Sequence, residues 1–194
     1  MIEFEKLKNH DFKTWNDYVL SHPDSEIFHL AEWYHIYKES YNYKPCYYFL
    51  KDNSAIKGII PLFHQKGLFK NILVSPPAGI LLDDNNKYSE SILDFIKSLK
   101  SKTKATDVIF YNNYNLSPEM NVSNENVRVL KQLPASVEGL DKDIGKKRRW
   151  GVKKANQTGF QHEVIVPTKK DINVFYKIYG INYRDLGTPV HSKK

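Results

Sequence analysis

Lys44-Pro45-Cys46-Tyr47-Tyr48-Phe49-Leu50 is followed, after Lys51-Asp52-Asn53-Ser54, by Ala55-Ile56-Lys57-Gly58-Ile59-Ile60-Pro61-Leu62-Phe63. Two short runs of aromatic and β-branched residues separated by a polar turn predict a β-hairpin, with strands over 46–50 and 55–63. On the N-terminal side, residues 2–5 alternate as a strand does. Residues 11–21 place Phe12, Trp15, Tyr18 and Val19 on one helical face, and His22-Pro23-Asp24-Ser25 breaks that helix. A second helix over 30–41 carries Leu30, Trp33, Tyr34 and Tyr37 as its apolar stripe.

On the C-terminal side, residues 69–74 lead into the stiff turn Ser75-Pro76-Pro77-Ala78-Gly79 and a short strand at 80–82. Residues 87–102 form the clearest amphipathic pattern, with Ile92, Phe95, Ile96 and Leu99 aligned. Strands are expected at 107–111, 127–133 and 160–166, and helices from about Gly145 to a C-cap at Gly159 and over 171–184. Strand, two helices, a run of antiparallel strands, a helix and more strands predict an α+β, mixed-sheet domain with helices on both faces. A strand and one helix cannot bury both their own faces. Residues 160–194 therefore read as the beginning of a second domain, and 1–159 as the first.

The chain has 194 residues, 41% apolar and 13% aromatic, enough for a real core. No apolar run approaches the ~20 residues that span a bilayer, so a cytoplasmic protein is expected. The single Cys46 excludes an internal disulfide framework and a multi-cysteine metal site. It sits in an apolar strand and is expected to be an inert thiol. Net charge is +7, with 29 basic residues against 22 acidic ones. Residues 142–154 hold seven of those bases, including Arg148 and Arg149, against the single acid Asp143. A block of this density attracts phosphate or an anionic membrane surface.

Other candidate chemistry is weak. His29 and His35, six apart on the predicted helix, do not share a face, which argues against a metal pair. Asp83-Asp84 lacks the ligand spacing of a hard-cation loop, so no metal is expected. Tyr111 and Asn113 end a predicted strand near the presumed cleft.

Several stretches together resemble the Fem-type (FemAB) aminoacyl/acyltransferases of the GNAT superfamily. They are 27–33 (Ile-Phe-His-Leu-Ala-Glu-Trp), the 44–63 hairpin, the basic 146–155 segment with Gly159, and the 175–189 run ending Leu186-Gly187-Thr188-Pro189. Their order and spacing carry the likeness. The resemblance implies two tandem GNAT-like halves, this chain covering the first and the opening of the second. A missing second domain or partner chain would then complete it. It implies transfer of an amino acid or acyl group, with aminoacyl-tRNA the expected donor, onto an amine of a peptidoglycan or envelope-polysaccharide precursor.

The Leu-Gly-Thr-Pro variant is similar to members that accompany exopolysaccharide systems. The resemblance assigns the precursor's phosphates to Lys38, or to Tyr37 in the neighbouring register, and to Arg148, Lys153 and Lys154. No cofactor is implied, since the Gly-rich phosphate loop of CoA-dependent relatives is absent. The rival reading is a non-enzymatic module that binds nucleic acid or an anionic surface through residues 142–154. A third is docking of that segment on the inner membrane surface.

Overall fold

The computed structural model describes every residue except 69, 112–115, 118–119, 122–130, 160, 192 and 194. Two compact units result: Met1–Val122 with His191–Lys194, and Ser123–Val190.

The first unit is a mixed α/β domain on a largely antiparallel six-stranded sheet. Its strands are β1 (Ile2–Lys6), β2 (Lys44–Asp52), β3 (Ala55–Lys66), β4 (Asn71–Val74), β5 (Leu81–Leu82) and β6 (Asp107–Ile109). The path runs β1-β2-β3-β4-β6, and β5 also pairs with β3. Every pairing is antiparallel except β4–β6, which is parallel. The β2–β3 hairpin is confirmed and turns through Asn53 (φ 50°) and Ser54 (φ 66°). Two successive left-handed residues match the right-handed twist of the flanking strands.

The hairpin is unbroken in apolar character because both faces of the sheet are buried. Along β2, Cys46, Tyr48 and Leu50 point into one cluster, and Tyr47 and Phe49 into the other. Helix α3 (Asn85–Thr103) covers the first face with Tyr88, Ile92, Ile96 and Leu99. Phe95 of α3 stacks on Phe4 of β1 at 4.1 Å. The second face is covered by α1 (Phe12–Ser21), through Trp15 and Val19, and by α2 (Trp33–Tyr41), through Tyr34 and Tyr37. Helix α2 starts at Trp33, three residues later than its apolar stripe predicts. A 3-10 turn over Ile27–His29 precedes it, and Leu30 has extended backbone.

β4 and β5 are two pieces of one line along the same side of β3. β4 pairs with residues 63–66 and β5 with 58–59, and residues 75–80 leave the sheet between them. Gly58 is required where β5 returns, since a Cβ there would lie 2.5 Å from Leu82 Cδ2 and 3.0 Å from the Leu81 carbonyl oxygen.

The second unit contains α4 (Val137–Asp143), α5 (Gly145–Gln157) and α6 (Lys169–Asp185). The basic helix and the last helix fall where the sequence places them, whereas α4, N-capped by Ser136, was not foreseen. The strand expected over 160–166 is corrected: residues 161–166 have no regular structure. Among the described residues they pair with no other strand, and a strand without a ladder partner leaves its peptide groups to water. The strand expected over 127–133 lies largely outside the described residues. No apolar side chain of this unit is buried among those described.

Candidate functional site

β4 is antiparallel to β3 on one side and parallel to β6 on the other. Immediately past its end, β4 leaves the sheet at Ser75-Pro76-Pro77. The Ser75 N–H donates to the Ile109 carbonyl (3.0 Å), and Ser75 Oγ accepts the Tyr111 N–H (2.9 Å) while donating to the Pro76 carbonyl (3.0 Å). Buried Ser75 thus ties the two strand ends together and fixes the backbone from which Tyr111 projects, 47% exposed.

Tyr111 lies within electrostatic reach of Tyr37 on α2. Around Tyr37 stand Tyr41 (5.8 Å between ring centroids), Tyr43 (6.1 Å, stacked) and Phe63 (4.3 Å). Burial pushes the Tyr37 phenol up, and Tyr41, Tyr43 and Tyr111 add to the shift. Burial likewise raises Tyr43. Phenols held above their usual range stay protonated near neutrality, so the cluster offers O–H donors and ring faces rather than a base. Such a surface suits a sugar ring or a phosphate oxygen.

Of the two registers on α2, Tyr37 faces this cluster. Lys38 is exposed on the helix, its ammonium 6.0 Å from the Tyr34 ring centroid. Asn113 lies outside the described residues. Sequence reading missed Ser75 and Tyr43. The Pro-Pro-Ala-Gly turn signals a bend, but not that the bend interrupts the strand line beside β3. Along β6, Lys70, Lys100, Thr106 and Asp107 line an open depression of about 660 Å³.

His29, Asp83 and Asp84 hold structure. His29 Nδ1 accepts the Glu26 N–H (2.9 Å), so its Nε2 carries the proton facing the Ala78 carbonyl (3.2 Å). The His29 carbonyl accepts the Trp15 indole N–H (2.7 Å), so buried His29, through its backbone and its ring, ties α1 to the 75–80 excursion. Asp83 accepts from Tyr18 (2.8 Å) and Lys57 (3.0 Å), and Asp84 caps α3. Among the described residues, no group of three or more His, Cys, Asp or Glu is placed to hold a metal ion. Burial holds the Cys46 thiol above its ordinary range.

In the second unit, α5 follows a break at Gly145 (φ 66°). The guanidinium of Arg149 folds back onto the carbonyls of Asp141 (3.1 Å) and Lys142 (3.3 Å), capping α4. Asp143, the one acid of the basic block, pairs with Lys131 at 2.6 Å. Lys146, Lys147, Arg148, Lys153 and Lys154 are all exposed. At ~100° per residue, Arg148 stands about 140° from Lys153 and about 120° from Lys154, and those two lysines are about 100° apart. α5 thus spreads these three bases around its circumference. No family model and no curated protein matches the chain. Among the described residues, no helix is long and apolar enough to cross a membrane.

Proposed function

We propose that the chain is the leading part of a Fem-like N-acyltransferase, with Met1–Val122 as a GNAT-like domain. The observation that carries this reading is the sheet itself. It is an antiparallel sheet with one parallel pair at its edge, a helix crossing between the paired strands, and Tyr111 held by Ser75 just past the carboxyl end of that pair. The resemblance of residues 27–33, 44–63, 146–155 and 175–189 to the family supports it independently. The reaction joins an acceptor amine to an acyl carbon, breaks the ester to the donor's hydroxyl, and passes a proton from the nitrogen to the departing oxygen. Such aminolysis needs orientation and oxyanion stabilisation rather than a covalent nucleophile, which suits a site of O–H and N–H donors and an inert Cys46.

The acceptor is an envelope-glycan precursor bearing phosphate. Within the first unit Tyr37 and Tyr111 offer contacts for its sugar, and the assignment of its phosphates to Arg148, Lys153 and Lys154 rests on the family resemblance alone. The exposed apolar residues of α6, among them Phe175 (65%) and Ile178 (64%), fit a second GNAT-like domain completed by further chain or by a partner. The test is binding of a nucleoside-diphosphate-linked glycan precursor, measured calorimetrically on wild type and Tyr111→Ala. A loss of roughly threefold to tenfold is expected if one neutral hydrogen bond goes. Equal affinities would remove Tyr111 from the site.

A further inference from the structure

Trp150 is 63% exposed on α5. Its four helical neighbours, at positions −4, −3, +3 and +4, are Lys146, Lys147, Lys153 and Lys154. Residues at these spacings adjoin on a helix surface, so a single indole stands in the middle of four ammonium groups. The Lys154 ammonium sits over the ring at 5.1 Å from its centroid. No acid lies within α5, and the nearby Asp143 is already paired with Lys131. Both arginines are directed elsewhere: Arg149 caps α4, and Arg148 stands about 160° around the helix from Trp150.

We infer that this face docks on an anionic lipid surface, a role that does not depend on the acyl-transfer reading. Three features select lipid. An indole has an apolar body and one N–H, and settles at the boundary between headgroups and acyl chains. Lysines are compact point charges suited to a diffuse negative surface, whereas the forked guanidinium that grips an individual phosphate is absent from this face. A nucleic-acid strand needs a succession of stacking platforms, and this face has one ring. Helix α5 would lie in the interface plane with Trp150 downward and the lysines around it reaching lipid phosphates.

The experiment is sedimentation of the full chain with vesicles of phosphatidylcholine alone and of phosphatidylcholine with one quarter phosphatidylglycerol. Binding to the anionic vesicles only is expected, weakening as salt rises. Lys147→Ala should cut partitioning about fivefold, the share of one lysine near such a surface. Trp150→Ala should cut it at least as much, and remove the blue shift of indole emission that accompanies binding. Arg148→Ala, which lies off the face, should leave partitioning within about twofold, and helix content by circular dichroism should match wild type throughout.

Equal binding to neutral vesicles, no loss in Trp150→Ala, or a loss in Arg148→Ala as large as in Lys147→Ala would overturn the inference. So would a single-stranded oligonucleotide that displaces the protein from vesicles at equal phosphate concentration in a Trp150-dependent way. Soluble-precursor binding by Trp150→Ala is expected to equal wild type, so failure here is distinct from failure of the transferase reading.

Discussion

Replacing Tyr47 with phenylalanine removes one oxygen from the core and leaves the ring in place. Tyr47 lies on β2, 1% exposed, with Trp15 (5.0 Å), Phe63 (5.1 Å) and Tyr34 (5.6 Å) against its ring. Its hydroxyl is fully enclosed and has no hydrogen-bond partner among the described residues. Burial pushes the phenol well above its ordinary range, with Tyr37 adding to the shift. A buried hydroxyl without a partner costs about 1–3 kcal/mol, whereas its few dispersion contacts return only ~0.1–0.2 kcal/mol each. Tyr47→Phe should therefore stabilise the first unit by about 1–2 kcal/mol. At ~4 °C per kcal/mol for a domain of this size, the midpoint rises by roughly 4–8 °C. Urea unfolding followed by far-ultraviolet circular dichroism should give a higher midpoint with an unchanged slope. Destabilisation by more than about 1 kcal/mol would refute the reasoning, because it would mean that the hydroxyl holds a partner worth more than its burial.

Gly58→Ala should destabilise by about 1–3 kcal/mol, since its Cβ would meet the Leu82 side chain and the Leu81 carbonyl; an unchanged urea midpoint would contradict that packing. Cys46 should resist an aromatic disulfide reagent in the native protein and react fully in denaturant, because burial keeps its thiol protonated and covered. Asp83 has its carboxyl held below the ordinary 3.8: burial opposes this, and hydrogen bonds from Tyr18 and Lys57 outweigh it. Its contribution is complete above that ordinary value and is lost as pH falls through the lower native one. Asp83→Asn should remove that part of the acid dependence, and an unaltered pH profile of the melting temperature would show the pair to be idle.

The two-sided hairpin and α3 were legible in the sequence because their signals are local. Asn53-Ser54 marks the turn, and Ile92, Phe95, Ile96 and Leu99 repeat at helical spacing. The division of the strand line beside β3 into β4 and β5 was not legible, since it depends on what lies opposite residues 60–62 of β3 and on Ser75 reaching across to Tyr111. For the same reason the site was only partly readable. Tyr111 could be placed at a strand end, but Tyr37 and Lys38 are equivalent in pattern, and only packing against Phe63 turns Tyr37 towards it. The strand expected at 160–166 follows from β-branched composition. Composition supplies no ladder partner, and Val164 is 99% exposed. In α5 the charge was plain, whereas the withdrawal of Arg149 into the cap of α4 depends on the break at Gly145.

The most direct test of the transferase reading is calorimetric titration of the full chain with a nucleoside-diphosphate-linked glycan precursor, comparing wild type with the Arg148→Ala/Lys153→Ala double variant. The account predicts micromolar-range binding to wild type, weakened by roughly a hundredfold in the variant if two charge-assisted phosphate contacts are lost. Circular dichroism of the two proteins should coincide. Equal affinity in wild type and variant would contradict the assignment of the precursor's phosphates to the basic helix, and no binding by wild type would contradict the account as a whole.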